Sequence, residues 1–467
     1  MSNRLSHPLL VLGCFAVAGC GASQTSQDSG PADATAIGQD AVADGGVDAF
    51  VEGGRDAAND SASDSSADAV SDAPSCVNDQ APNTNVVKGP QSTSPPTDND
   101  STFNGTSIDP TNANRVLIGS ERNGMVLTED GGGTFVRRRQ GIRNWNEPVQ
   151  GDYYPEAWSS VISPFASSTM WIAMADSPGP VNGNYPSAMA GLYRSTDNGL
   201  TWLRSNCGLT NSKTAAVVYV GDSALNMVAG VGAGNTSIPN VTPTYWNGGL
   251  YLSKDGGTNW TQTYAITQGR VEFRKIVVRG TGASRVLITL GVGVEGSPST
   301  GFLRSTDGGA SWAKLPVALE TAFITNFDVS ADGQTIYALN GDEFQDVKFH
   351  RSINQGTSWT DVKPNIGTGP INSRVTVAIS PTDTNRFIFS VTSPNDIYMS
   401  TDGGLTASKV MSALTGQRRI GWIGFAPSNS NRAYALSTDG AEFVRSDDAG
   451  ATWASKAVLR TTVFNQP

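Results

Sequence analysis

One eight-residue pattern recurs seven times along this chain, and its spacing constrains the fold more than any other feature. The copies run Thr128 to Phe135, Ser195 to Trp202, Ser253 to Trp260, Ser305 to Trp312, Ser352 to Trp359, Ser400 to Ala407 and Ser446 to Trp453. Their third positions are Asp130, Asp197, Asp255, Asp307, Asn354, Asp402 and Asp448, which places successive copies 67, 58, 52, 47, 48 and 46 residues apart. A period that settles near 47 after longer early steps marks a repeat architecture, each unit a supersecondary motif that buries its apolar face only against its neighbours. An Asp or Asn side chain that accepts from backbone N–H groups a few residues on makes a turn, a Gly supplies positive φ, and a following Trp anchors the corner to a sheet. These residues are scaffold corners rather than catalysts.

Between copies every unit follows one order: an apolar run, a Pro/Asn/Asp turn, a second apolar run, a variable loop, a short third run, then the repeated turn. Val375 to Ser390, Ile423 to Leu436 and Ile108 to Gly119 each display the first three parts. Their length, β-branched content and bounding turn residues predict strands. Four strands per unit and seven units predict an all-β, seven-bladed propeller with four-stranded antiparallel blades. A solenoid of the same units is the alternative. The innermost strand of the first blade is expected to start near Phe103, and Asn85 to Lys88 offers an outer strand for the last blade.

The repeated turn resembles the Asp-box, or bacterial neuraminidase repeat, of sialidases, xyloglucanases, sortilin-type receptors and a photosystem assembly factor. That resemblance implies that the turn joins the third and fourth strands of a blade, on the face away from the ligand.

The amino terminus has another character. Arg4, the apolar run Leu9 to Ala18 and the ending Val17-Ala18-Gly19-Cys20 read as an export signal over residues 1–19. The ending resembles a bacterial lipobox, which implies lipidation of Cys20; Gly21 in place of Asp implies no retention at the inner membrane. The expected location is the cell envelope, at the outer membrane or cell surface, with membrane contact through the lipid anchor alone. Several acyl chains would hold it firmly, each buried CH₂ contributing roughly 0.8 kcal/mol. Residues 20–80 are expected as a disordered Asp/Ala/Ser-rich tether and 81–467 as the propeller. Acids recur at every fourth position from Asp40 to Asp72, which on a helix would stack like charges on one face. Residues 21–75 hold eleven acids against Arg55, whereas residues 76–467 carry 30 basic and 31 acidic residues. The net charge of −10 therefore belongs to the tether, and the propeller has no basic excess to attract nucleic acid.

The inventory narrows the chemistry. His7 leaves with the signal, so His350 is the sole histidine beyond it, and histidine-rich metal sites are excluded. No Gly-x-Ser-x-Gly context accompanies a triad and no nucleotide-binding glycine loop occurs, so neither metal nor cofactor is expected. With Cys14 in the signal and Cys20 lipidated, Cys76 and Cys207 are expected to form a disulfide. Any catalysis falls to carboxylates and tyrosines.

The expanded loops lie early. The connection from Arg137 to Trp158 contains Arg143, Trp145, Glu147, Asp152, Tyr153, Tyr154, Glu156 and Trp158. The second unit's inner loop contains Asp176 and Tyr185, and the third unit's contains Tyr245 and Trp246. Aromatic planes beside carboxylates, amides and Arg suit sugar rings, whose C–H faces stack while their hydroxyls need fixed partners. Arg122, Trp145, Tyr153, Tyr154, Trp158, Tyr185, Tyr245, Trp246 and Trp422 are the candidate binding residues; packing of long loops on the ring is the competing role. The resemblance to sialidases stops short of their early Phe/Tyr-Arg-Ile-Pro motif, and their six blades differ from seven here. Xyloglucanase-like enzymes carry a catalytic Asp where Gly119-Ser-Glu121-Arg-Asn-Gly124 stands in this chain. Glu121 is thus a candidate acid, with Asp152, Glu156, Asp176 or Glu295 as partner, or alternatively a loop carboxylate bonded to Arg122. The expected function is that of a monomeric surface propeller binding a glycan or an extracellular protein, with a single-propeller glycoside hydrolase as the alternative.

Overall fold

A computed structural model describes residues 79, 103–120, 124–143, 145–147, 151–153, 156–175, 190–210, 214–232, 234–235, 245–266, 271–273, 275–293, 300–316, 324–340, 348–362, 364, 366, 376–391, 396–412, 420–437 and 442–459. All of them belong to one unit of the chain, Val70–Pro467.

Seven antiparallel sheets follow one another in sequence order, six built of four strands and that of blade 4 of five, because its first-strand position is divided between Val271–Glu272 and Ile276–Arg279, both paired with Val286–Gly293. Blade 1 comprises Phe103–Ile108, Val116–Ser120, Gly124–Thr128 and Val136–Arg138. Blade 7 comprises Ile420–Ala426, Asn429–Ser437, Glu442–Ser446 and Ala454–Val458. The first strand begins at Phe103, as the repeat spacing predicts. The first strands touch one another in succession, and that of blade 7 touches that of blade 1, so the ring closes and a solenoid is excluded. Helix is limited, among the described residues, to little more than a 3-10 turn at Gly282–Ser284. Second strands such as Met170–Ala175, Met227–Val231 and Phe387–Val391 are buried along their whole length, the pattern of strands covered on both faces.

The hydrophobic core is divided among the seams. Each of seven apolar clusters draws its residues from two neighbouring blades. Leu117, Met125 and Leu127 of blade 1 pack with Ile172, Met174 and Trp202 of blade 2, and Ile118, Val126 and Phe135 of blade 1 pack with Tyr434, Leu436 and Phe443 of blade 7.

The repeated turn joins third and fourth strands by one bonding scheme. In blade 2, Ser195 Oγ donates to Asp197 Oδ1 and accepts the Gly199 N–H, each at 2.8 Å. Asp197 Oδ1 accepts the Thr201 N–H at 2.9 Å, and Oδ2 the Thr201 hydroxyl at 2.5 Å. The corner requires positive φ at its fourth and fifth residues, 73° at Gly131 and 99° at Gly132, so Asn198, Gln355 and Ala449 occupy the left-handed region without being Gly. At Asn354 one bond reverses, the side-chain amide donating to Ser358 Oγ at 2.8 Å.

The aromatic residue that ends the turn reaches beyond its own blade. Trp202 Nε1 donates to the Arg138 carbonyl at 3.0 Å and Trp260 Nε1 to that of Ser205 at 3.2 Å, each in the preceding blade. Trp359 stacks on Phe302 of blade 4 at 5.2 Å. Phe135 takes this role at the closing seam, edge-on to Phe443 of blade 7 at 5.5 Å. Polar bonds at that seam resemble an internal one: Tyr434 Oη donates to the Ala113 carbonyl as Tyr337 Oη donates to that of Thr384 between blades 5 and 6, and Asn114 accepts from Arg432 of the second strand where Asn385 accepts from Arg351 of the third. The outer position of blade 7 belongs to Ala454–Val458. The carboxy-terminal repeat thus supplies a fourth strand to its own blade, and residues 85–88, expected to offer an outer strand there, lie outside the described residues.

Phe135→Ala and Trp202→Ala should each lower the unfolding free energy by about 3–5 kcal/mol in urea titrations, because each empties a buried interblade socket. A loss below about 1 kcal/mol for Phe135→Ala would show that closure does not depend on it.

The turns also set an acid limit. Burial is the largest single influence on the Asp130 carboxyl and pushes it up, but hydrogen bonds from Thr134, Thr128 and Gly133 together outweigh it and hold the pKa at about 2. Bonds from the Thr406 hydroxyl and amide hold Asp402 at about 2 as well, against a usual 3.8. A carboxyl depressed in the folded state stabilises it fully above its unfolded pKa and loses that contribution as pH falls through the folded value. Stability should therefore decline from about pH 4 to about pH 2, and Asp402→Asn, whose amide does not titrate, should show a shallower decline in acid-unfolding curves.

Candidate functional site

An antiparallel four-stranded blade puts its first-to-second and third-to-fourth turns on one face. The second-to-third loops and the connections between blades fall on the other. Outside the seven sheets the described residues form two small two-stranded sheets, and both lie in connections of that second kind. In the link from blade 1 to blade 2, Trp145–Glu147 pairs with Gly151–Tyr153, setting Trp145 opposite Tyr153 and Asn146 opposite Asp152. In the inner loop of blade 3, Gly234–Asn235 pairs with Tyr245–Trp246, setting Gly234 opposite Trp246 and Asn235 opposite Tyr245. Four of the predicted binding aromatics thus stand on two hairpins raised from the face opposite the repeated turns.

The innermost strands add a second device at the same end of the ring. In blade 2, Ala157 pairs with Met174 and Ser159 with Ala173, so Trp158 is an extra residue in a bulge. The register shifts equivalently between Thr214 and Ala216 in blade 3, between Ile324 and Asn326 in blade 5, and between Ile420 and Trp422 in blade 7. Blade 1 shifts between Asn104 and Ser107, where Gly105 has φ 59° and lies against the Ala157 backbone. A bulge bends the strand and re-aims the side chain at the inserted position. Trp158 is the large aromatic among these insertions.

Glu156 begins the innermost strand of blade 2, half-buried and paired with Ala175. Asp176 follows Ala175 directly in sequence, and Glu121 follows Ser120, the corresponding end of the second strand in blade 1. Three of the four predicted carboxylates therefore begin, or directly follow in sequence, strand ends at one end of blades 1 and 2. Glu121, Arg122, Tyr154, Asp176 and Tyr185 lie outside the described residues. Trp422, expected in or beside a loop of this face, is on the innermost strand of blade 7, packs against the core of the closing seam and lies over Gly424. Cys207 is disulfide-bonded, and Cys20 and Cys76 lie outside the described residues.

Charged residues within the first strands escaped the sequence reading. Asp328, buried in the innermost strand of blade 5, faces Arg279 at 3.3 Å and Lys275 at 3.7 Å from blade 4, and accepts the Ile379 N–H of blade 6 at 2.8 Å. Lys275 Nζ and Arg279 Nε also donate to the Phe327 and Val329 carbonyls at 2.6 and 2.8 Å. The innermost strand of a blade presents an unpaired edge, and these side chains satisfy it from the preceding blade, Lys275 and Arg279 of blade 4 on the blade 5 strand and Asp328 of blade 5 on the blade 6 strand. On the opposite side of the ring Ser160 Oγ donates to Ser107 Oγ at 2.8 Å. The available signal was a charge inside an apolar β-run, as in Arg274-Lys-Ile-Val-Val-Arg279 and Asn326-Phe-Asp328-Val329.

Among the described residues no group of three or more His, Cys, Asp or Glu is placed to hold a metal ion. No helix among them is long and apolar enough to cross a membrane.

A closed seven-bladed propeller with hairpins on its early-blade face defines the structural class. No family model matches the chain. It is similar to the xyloglucanase of Hypocrea jecorina (strain QM6a), with 25% identity over 190 residues, a stretch covering 40% of this chain and 19% of that relative. Among solved structures it is similar to an ancestral GH74 enzyme, with a TM-score of 0.54 and 14% identity, over 78% of this chain and 47% of the enzyme. YCF48 from Cyanidioschyzon merolae matches with a TM-score of 0.48 and 17% identity, over 75% of this chain and 97% of that one. The chain thus spans less than half of the xyloglucanase and of the GH74 enzyme, and the likeness to the latter is one of fold.

Asp328→Ala leaves the Ile379 N–H without its acceptor and removes the carboxylate between two cations. Denaturant titration should show a loss of about 1–3 kcal/mol. An unchanged midpoint would mean that the three blades are not joined through this residue.

Proposed function

We propose that this protein is an exported, lipid-anchored propeller that binds a glycan on the face opposite its repeated turns. The observation that carries the proposal is the concentration of aromatic residues where the sevenfold plan is interrupted. Trp145, Tyr153, Tyr245 and Trp246 stand on the two added hairpins, and Trp158 on the bulge of blade 2. Aromatic rings stack on the C–H faces of sugars, and a site of this kind needs only a few fixed polar groups to orient the hydroxyls. Tyr154 directly follows the first hairpin in sequence, Tyr185 falls in sequence between the second and third strands of blade 2, and Asp152, Glu156 and Arg122 supply polar partners. The repeated turns, read as Asp-boxes, account for the scaffold and take no part in binding.

A second reading is favoured by the similarity to a xyloglucanase and by half-buried Glu156 at the start of blade 2's innermost strand; Glu121 and Asp176 are its candidate partners by sequence. In a glycoside hydrolase one carboxyl protonates the leaving oxygen while the other attacks or activates water. Their separation is about 5–5.5 Å for retention and roughly 6.5–9.5 Å for inversion.

A panel of soluble polysaccharides in affinity electrophoresis and reducing-end assays separates the readings. Binding without cleavage is expected, with Trp145→Ala and Trp246→Ala each weakening retention by about tenfold or more, since buried aromatics dominate such contacts. Reducing ends released by the wild type and lost in Glu121→Gln would establish the hydrolase instead. Absence of retention across the panel would favour an extracellular protein as the ligand. For the anchor, metabolic labelling with a radioactive fatty acid should mark the wild-type chain and fail in Cys20→Ala, whereas equal labelling would place the lipid elsewhere or deny it.

A further inference from the structure

The stretch that precedes the propeller meets the ring at Asp79. The Asp79 N–H donates to the Arg204 carbonyl at 2.8 Å, and its Oδ2 accepts the Arg204 N–H at 3.1 Å. Arg204 ends the outermost strand of blade 2, Leu203–Arg204, so Asp79 extends that blade outward by one residue. Asp79 Oδ1 accepts from the Arg143 guanidinium at 2.7 Å in an ion pair largely withdrawn from water, the carboxylate being 12% exposed and the guanidinium 27%.

Arg143 is held a second time. Its backbone amide bonds to the hydroxyl of Tyr193, a side chain wholly buried in the third strand of blade 2. Burial, then the neighbouring Arg143 charge, pulls the Arg204 guanidinium below its usual pKa, so the two arginines oppose one another and Asp79 offsets both. Two residues beyond Arg143 begins the hairpin Trp145–Glu147, Gly151–Tyr153. Three residues beyond Arg204 is Cys207, in a disulfide, and three residues before Asp79 is Cys76. A span of three residues is at most about 10 Å, and the bonded pair Asp79 and Arg204 fixes the two chains side by side.

We infer that Asp79 is a positioning residue for the Trp145–Tyr153 hairpin, and that a Cys76–Cys207 disulfide fastens the leading segment that carries it. The leader then works as a buttress of the early-blade face as well as a spacer. An engineered chain starting at Phe103 would keep seven complete blades and lose the support of that face. This rests on the proposed function only in assigning the hairpin to glycan binding.

Hydrogen exchange on the full-length secreted protein tests the buttress without any ligand. Asp79→Ala should accelerate exchange in peptides covering 144–155 and 203–207 by about tenfold or more while leaving peptides covering 420–437 unchanged. Arg143→Gln, which removes only the hairpin side of the ion pair, should accelerate 144–155 alone. Asp79→Glu should restore part of the protection, an effect that a general loss of stability would not produce. Unchanged exchange at 144–155 in folded Asp79→Ala, or in Arg143→Gln should the first variant fail to fold, would overturn the assignment. Non-reducing peptide mapping should recover a Cys76–Cys207 crosslinked peptide, and Cys207 linked to another cysteine would overturn the fastening. Glycan retention should fall in step with the lost protection of 144–155. Lost protection with undiminished retention would leave the buttress standing and move the binding site elsewhere.

Discussion

The architecture depends on an aromatic or apolar peg that leaves one blade and seats in the previous one. A four-stranded blade is covered on neither face by itself, and its second strand is apolar throughout. The turn between third and fourth strands solves this by delivering a side chain across the seam: Trp202 toward blade 1, Trp260 toward blade 2, Trp359 onto Phe302, Phe135 onto Phe443. The Ser and Asp hydrogen bonds of the turn serve this delivery, because they fix two consecutive left-handed residues and so the direction in which the peg points. Repetition of the motif is repetition of one joint.

That dependence explains what was readable from sequence. The joint demands a hydroxyl at its first position, a carboxylate or amide at its third, Gly at its fifth and usually an aromatic at its eighth, so blade number, strand order and the face bearing the turns all follow from spacing. Phe103 as the first strand's start was equally legible, because the Pro/Asn/Asp turn after Ile108 fixes the unit's phase. The outer strand of blade 7 was hard to read because Ala454–Val458 is short and alternates polar residues. Outer strands face solvent and carry little apolar signature.

The site was legible as a region and illegible as geometry. Departures from the period pointed to the loops holding Trp145, Asp152, Tyr153, Tyr245 and Trp246, and these prove to include paired strands. The bulge at Trp158 left no mark in the sequence, since one added residue in an apolar run alters neither length nor composition enough to notice. The place of Trp422 was equally unmarked: Gly424 clears the space in which its ring lies on a strand, a packing that spacing alone does not reveal. Asp328, Lys275 and Arg279 were overlooked because sequence patterns assign charges to surfaces, and a first-strand edge near the axis needs polar partners inside the ring.

Closure by an ordinary seam has an evolutionary side. Tyr434 meets Ala113 as Tyr337 meets Thr384, an arginine of the same blade reaches the next asparagine in each case, and among the described residues no strand is exchanged across the junction. The ring consequently has no keystone. Duplication or loss of a whole unit leaves matching surfaces on both sides of the change, so blade number in such a chain can drift by gene-level copying without the invention of a new clasp.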